Sequence, residues 1–186
     1  MSEWFYSNAS AIIAASSALL AAIIAALAAF GGALINNRNS KALRDSQNEI
    51  ERWKLNRELY LKKAEEVFSL FDSWNEGIHK ILSLQAFHAI GVKNQNEVNE
   101  EWPSAYDKSL HPRIKALISL YFNELYGDFE LISDIYAKST GRYALFITGD
   151  LEKGEFAISV HKSTSEIVSI AERFRARLAE LTQKHF

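Results

Sequence analysis

One stretch of this chain constrains its fold more than any other. Ala9 to Ile35 is a run of twenty-seven residues without a single formal charge. At about 1.5 Å of rise per residue, a helix of this length reaches roughly 40 Å, whereas the hydrocarbon core of a bilayer is about 30 Å thick. The run therefore predicts one uncleaved transmembrane helix, which we call the span.

The composition of the span sets how strongly it favours the bilayer. Twelve of its residues are alanine, and isoleucine, leucine and phenylalanine together supply only ten. Each of these ten favours insertion at a helix centre by about 0.3–0.6 kcal/mol, which gives roughly 3–6 kcal/mol in total. Three serines and two glycines oppose insertion. Insertion is thus predicted to be favourable by a small margin.

Bulky and small residues of the span separate onto different faces of a helix. The bulky face follows steps of three and four residues, interrupted only by Ser16, through Ile12, Leu19, Ile23, Leu27, Phe30 and Leu34. The small face consists of Ala11, Ala15, Ala18, Ala22, Ala25, Ala29 and Gly32. Because small side chains let helix backbones approach closely in lipid, the small face predicts self-association. The alternative is a plain anchor, since an alanine-rich helix also forms such stripes by chance.

The charges that flank the span predict its orientation. Glu3 is the only charged side chain before it, whereas Arg38, Lys41 and Arg44 follow within ten residues. Because cytoplasmic flanks carry the excess of lysine and arginine, we expect an external N-terminus and a cytoplasmic C-terminal part. A cleaved signal peptide fits poorly, since it would carry a positive N-terminal region and a shorter apolar stretch. One span followed by a charged helix and a small helical domain is a common layout among bacterial proteins, so we expect the bacterial inner membrane.

Composition limits what the rest of the chain can do. After the first 36 residues, 22 acidic and 21 basic side chains remain, so no basic excess for nucleic acid is present. The chain has no cysteine, which excludes disulfides, thiolate catalysis and cysteine-based zinc sites. Two prolines and eight glycines favour long helices over many turns. We therefore expect an all-α fold without a nucleic-acid partner.

Apolar spacing divides the chain into four segments. These are a short extracytoplasmic N-terminus (1–8), the transmembrane helix (9–35), a juxtamembrane charged helix or stalk (36–65) and a cytoplasmic helical bundle (66–186). One long helix is predicted from Ser40 to about Ile90, with apolar residues at alternating steps of three and four. The same steps lead back to Gly32, which predicts a parallel coiled-coil stalk in a homo-oligomer. A helix break in the polar run Asn36 to Ser40 is the alternative.

The later elements follow from similar patterns. We expect a loop from Gly91 to Pro103 and a central helix from about Ser109 to Gly141, covered on more than one side. Residues 143–160 fit either a short β-hairpin or helices, and the lack of other strand candidates favours helices. Ser163 to Glu166 has capping-box spacing, which predicts the start of a last helix.

No motif in the chain predicts catalysis, a cofactor or a metal. None of the five histidines lies three or four residues from another, so we expect structural or surface roles for them. The carboxylates Glu124, Asp128 and Asp134 predict a solvated polar face. The basic run Arg173, Arg175 and Arg177 predicts solvated surface, with an acidic partner as the alternative. The chain is therefore not expected to be an enzyme.

These patterns favour a role in assembly. The leading hypothesis is a membrane-anchored, self-associating helical assembly or docking module whose cytoplasmic bundle binds a protein partner of unknown identity. The alternative is a membrane-perturbing effector, a toxin or defence component that acts through oligomerised alanine-rich helices. An effector should depolarise cells when it is overproduced, whereas a docking module should be harmless.

Overall fold

The computed structural model describes residues 2–105 and 107–184, and every regular element in these ranges is helical. The helices are α1 (Ser2–Ile90), α2 (Gln95–Ala105), α3 (Leu110–Tyr121), α4 (Tyr126–Thr148) and α5 (Lys153–Gln183), with a 3₁₀ turn at Asn123–Leu125. The prediction of an all-α fold is confirmed. The β-hairpin considered for residues 143–160 is wrong, because these residues belong to α4, α5 and the turn between them.

The chain divides into two compact units, Met1–Leu55 and Asn56–Phe186, and α1 contributes to both. In the first unit, every side chain from Ser10 to Phe30 is exposed. The polar run from Asn36 to Ser40 is helical, so the break considered there is absent.

A core of packed aromatic side chains organises the second unit. Phe71 of α1 and Phe174 of α5 stack with ring centroids 3.9 Å apart. Trp74, one turn further along α1, packs against Phe129 of α4 at 4.8 Å. All four side chains are buried. Because burial of one large apolar side chain contributes about 1.5–3 kcal/mol, these contacts are the main attraction between the three helices.

The contacts fix the direction of each helix in this unit. Trp74 meets Phe129, and the same number of residues further along both helices His88 bonds to Tyr143, so α1 and α4 run parallel. Phe156, near the start of α5, stacks on Phe146, near the end of α4. Consecutive helices α4 and α5 are therefore antiparallel, as a short connection requires.

Two glycines end helices in the left-handed conformation. Gly91 follows α1 with φ of 81°, and Gly149 follows α4 with φ of 82°. Beyond Gly149, the Asp150 N–H donates to the Leu145 carbonyl at 2.9 Å, which satisfies an orphan acceptor of the last turn. The predicted end near Gly141 is wrong, because α4 continues to Thr148.

The predicted single helix from Ser109 to Gly141 is also wrong. The chain leaves helical geometry at Phe122, where φ is −141° and ψ is 51°. This break lets Phe122 and Leu125 both be fully buried, and the Phe122 ring packs on Tyr60 at 4.7 Å. Leu120 is 75% exposed and Leu131 44%, so the expected cover on more than one side is missing at these two positions, although Phe122 is buried.

The predicted loop before α3 and the predicted start of the last helix are both wrong. Most of the expected loop from Gly91 to Pro103 is α2, which begins with a reciprocal cap. The Glu97 N–H donates to Asn94 Oδ1 at 3.1 Å, and the Asn94 N–H donates to Glu97 Oε2 at 2.7 Å. Ser163, predicted to start the last helix, lies inside α5.

Candidate functional site

The first candidate site is the span itself. By length and composition, α1 is the one helix in the described residues that is long and apolar enough to cross a membrane. Its most apolar window is entirely exposed. A core helix of a water-soluble domain passes the same test of composition but is buried by its neighbours. The span therefore presents its apolar surface outward along its length.

The structure brings the predicted small face together on one side of α1. Its members are Ala11, Ala15, Ala18, Ala22, Ala25, Ala29 and Gly32, and all of them are exposed. Because the α-helix has 3.6 residues per turn, their steps of three and four keep them within one narrow stripe. At Gly32 a Cβ atom would meet nothing within 4 Å. The small face is thus open to a neighbouring helix.

The residues that predict the orientation of the span lie on the same helix. Arg38, Lys41 and Arg44 are exposed on α1, within three turns of the end of the apolar run. Arg44 Nε donates a long hydrogen bond to the carbonyl of Ser40 at 3.5 Å. Their positive charges therefore lie where a bilayer surface would meet the helix.

The second candidate site is a groove between α4 and α5 in the second unit. This α4–α5 groove has a volume of about 700 Å³. Leu131 and Ile135 of α4 line it together with Ile158 and Ile170 of α5. Ile158 is 72% exposed and Leu131 44%, so the groove offers uncovered apolar surface. Such a channel between antiparallel helices matches the shape that an amphipathic helix fills in a partner.

Charged side chains along the groove leave a basic excess. Arg142 donates to Glu155 at 2.9 Å, and Lys162 lies 3.9 Å from Glu166. Lys138 has no ion-pair partner among residues 2–105 and 107–184. The Nε of Arg142 is buried and meets no acceptor in the same part of the chain. The exposed cation of Lys138 therefore favours an acidic group beside this groove, whereas the buried Nε of Arg142 is out of reach of a ligand.

A buried carboxylate joins α4 to α5 away from the groove. Arg173 donates from Nε and Nη2 to Asp128 Oδ1 at 3.0 and 2.7 Å, and Arg177 Nη1 donates to Oδ2 at 3.3 Å. Asp128 is only 5% exposed. Burial alone would raise its pKa, but hydrogen bonds and charge from both arginines lower the pKa below its ordinary value. The predicted solvated face is therefore wrong for Asp128.

The middle arginine of the same run binds a different helix. Arg175 Nε donates to Asp72 Oδ1 of α1 at 2.8 Å, and its guanidinium lies 5.8 Å from the centre of the Phe71 ring. The arginines are partly exposed, as predicted, yet their guanidinium groups are used within the chain. An acidic headgroup or partner is not needed to explain them.

The histidines have structural surroundings. His88 Nδ1 lies 2.8 Å from the Tyr143 hydroxyl, and His111 Nε2 lies 3.1 Å from Ser133 Oγ. Burial lowers the pKa of His79 and that of His111, so both favour the neutral form. The described residues contain no cluster of three or more side chains that could hold a metal. His185 lies outside the described residues.

Comparison with known proteins assigns no family to the chain. No protein family, curated protein or solved structure matches it. Its function is therefore inferred from its residues and their geometry.

Sequence reasoning missed the α4–α5 groove and the Asp128 cluster. Leu131, Ile135, Lys138 and Arg142 recur at helical steps, which is a readable stripe. The facing stripe on α5 was hidden, because residues 143–160 fitted strands as well as helices. For Asp128, the readable signal was the pair Arg173 and Arg177, which lie one helical turn apart and can bind one carboxylate together. Only the fold reveals that Asp128 is that carboxylate.

Replacing Asp128 by asparagine tests the cluster. Asp128→Asn should lower the free energy of unfolding by about 1.5–3 kcal/mol, since hydrogen bonds to a charged group lose strength. Asp134→Asn, at an exposed position of the same helix, should change it by less than about 0.5 kcal/mol. The measurement is thermal unfolding of the full chain in detergent, followed by near-ultraviolet circular dichroism.

The pH dependence of the free energy of unfolding gives a second test of the Asp128 cluster. The folded pKa of Asp128 lies below the unfolded value of about 3.9, so its stabilisation is present above pH 4 and is lost as the pH falls further. The Asp128→Asn variant should therefore lose less stability on acidification than the wild type. Equal losses would contradict the assigned role.

Proposed function

We propose that this chain is a membrane-anchored assembly and docking module. Its span crosses the bilayer, copies associate through the small face, and a cytoplasmic helical bundle binds a protein partner in the α4–α5 groove. The observation that carries the proposal is the complete exposure of an uncharged helix of bilayer-crossing length. Soluble monomers rarely expose contiguous apolar patches larger than a few hundred Å².

The flanking charges support the proposed orientation. Arg38, Lys41 and Arg44 follow the span, and Glu3 alone precedes it. Under the positive-inside rule, this places residues 56–186 in the cytoplasm, and a bacterial inner membrane is the setting we propose.

The division of the span into two faces supports association of copies. Lipid tails are as apolar as leucine, so association in a bilayer depends on close packing instead of the hydrophobic effect. The small face provides that packing surface, and the bulky face is left for contact with lipid.

The chemistry of the α4–α5 groove supports a helical partner of a particular kind. The exposed floor around Leu131 and Ile158 fits the apolar stripe of an amphipathic helix. The charge of Lys138, which is exposed and unpaired within the described residues, favours acidic side chains beside that stripe. We therefore propose an amphipathic helix with an acidic flank as the ligand.

Cysteine crosslinking tests self-association, because the chain has no cysteine of its own. Ala22→Cys lies on the small face, and Leu20→Cys lies on the opposite side of the helix. In oxidised membranes, Ala22→Cys should form a covalent dimer and Leu20→Cys should remain monomeric. Adding Ala18→Leu and Ala25→Leu to Ala22→Cys should sharply reduce the dimer, since bulky side chains separate the backbones. Equal crosslinking on both faces would reject the small face.

Site-specific photocrosslinking tests the groove. A benzoylphenylalanine residue at position 158 should capture one defined protein, while the same probe at position 120, exposed but outside the groove, should not. Lys138→Glu should reduce the captured product, because it replaces attraction for an acidic helix by repulsion. Equal capture from both positions would reject the groove. Depolarisation of cells that overproduce the chain would favour the membrane-perturbing effector instead.

A further inference from the structure

The segment between the span and the second unit carries an exposed apolar stripe. Leu43, Ser46, Ile50 and Trp53 follow steps of three and four residues, and we call them the juxtamembrane seam. Leu43 is 62% exposed and Ile50 51%, although both are large aliphatic residues. A helix in water gains nothing from such a stripe unless another surface covers it.

Further along α1 the same register is covered by the second unit itself. Ala64, Val67, Phe71 and Trp74 continue the steps of the seam, and all four are buried. Residues of this heptad register are therefore buried where other helices of the second unit pack against α1. Between Leu43 and Trp53 the register persists while the side chains remain exposed.

We propose that a second copy of this chain covers the juxtamembrane seam in a parallel, two-stranded coiled coil over residues 43–54. This inference rests on the proposed function, because copies whose spans share one topology send α1 out of the membrane in the same direction. Leu43 and Ile50 then occupy heptad position a, and Ser46 and Trp53 occupy position d.

Charge complementarity selects this partner and this orientation. In the same heptad, Glu49 occupies position g and Lys54 occupies position e of the following repeat. In a parallel dimer, each g position faces the e position of the next heptad on the partner helix. Glu49 of each copy therefore meets Lys54 of the other, in two symmetric pairs. An antiparallel dimer would instead place g against g and e against e, and would lose both pairs.

The β-branched Ile50 at position a agrees with two strands. The segment is short, and Ser46 at position d adds little apolar burial. Isolated helices of twelve to fifteen residues are marginal in water, so this coil needs help from its surroundings. Joining two membrane spans supplies that help by raising the effective concentration of one segment near the other. The coiled coil is thus expected in membranes and not in an isolated peptide.

Full-length, single-cysteine variants in membranes test the proposal. Ile50→Cys should form a disulfide-linked dimer on oxidation, because identical a positions face each other only in a parallel, in-register pair. Asn48→Cys, on the opposite side of α1, is the matched control and should remain monomeric. An Ile50→Cys chain that stays monomeric, or that crosslinks mainly to a different protein, would overturn the second copy as the occupant.

Charge reversal then tests the register. In the Ile50→Cys background, Glu49→Lys should lower the dimer yield about threefold, since two exposed ion pairs become repulsive contacts. Adding Lys54→Glu should restore the yield, because the pairs are re-formed with opposite signs. A dimer yield that is unchanged by both substitutions would overturn the assigned pairing.

Ala22→Cys separates failure of this inference from failure of the proposed function. If Ala22→Cys crosslinks and Ile50→Cys does not, the coiled coil is wrong and association through the span remains. If neither crosslinks, both are wrong. If only Ile50→Cys crosslinks, the coiled coil stands and the small face is wrong.

Discussion

The structure depends on one constraint, which is that an uncharged helix longer than a bilayer is thick has no cover of its own. Every side chain from Ser10 to Phe30 is exposed. Water is a poor solvent for such a surface, so lipid or other chains must surround it. In the proposed function, the bulky face of the span contacts lipid and the small face contacts another helix.

The second unit is held by interactions of a different kind. Packed aromatic rings between α1, α4 and α5 supply the apolar contact, and Asp128 and Asp72 hold the arginines of α5 in place. These contacts use the arginines of α5 within the chain, so their charges do not mark a binding surface. The α4–α5 groove remains uncovered, with Lys138 unpaired within the described residues and an open apolar floor. The proposed docking role rests on this open surface.

Sequence patterns predict the parts of this fold in which local spacing and tertiary packing agree. The all-α class and the buried positions from Ala64 to Trp74 follow from helical periodicity, because the same register reaches the core. The break at Phe122 could not be predicted, since no glycine or proline marks it and only packing on Tyr60 explains it. Asn94 and Glu97 did carry a capping signal for α2, hidden in a polar run. The α4–α5 groove could not be predicted either, because its prediction requires that α4 and α5 are antiparallel. The apolar stripe of one helix does not give the direction of its neighbour.

Alkaline carbonate extraction of membranes tests most directly whether the span anchors the chain. The full chain should stay in the membrane pellet. Each arginine at a helix centre costs about 2.5–3.5 kcal/mol, so arginine at both Ile24 and Leu27 costs about 5–7 kcal/mol, which is comparable with the whole predicted insertion energy of roughly 3–6 kcal/mol. The double variant Ile24→Arg, Leu27→Arg should therefore move to the supernatant. Release of the unaltered chain into the supernatant would contradict the account.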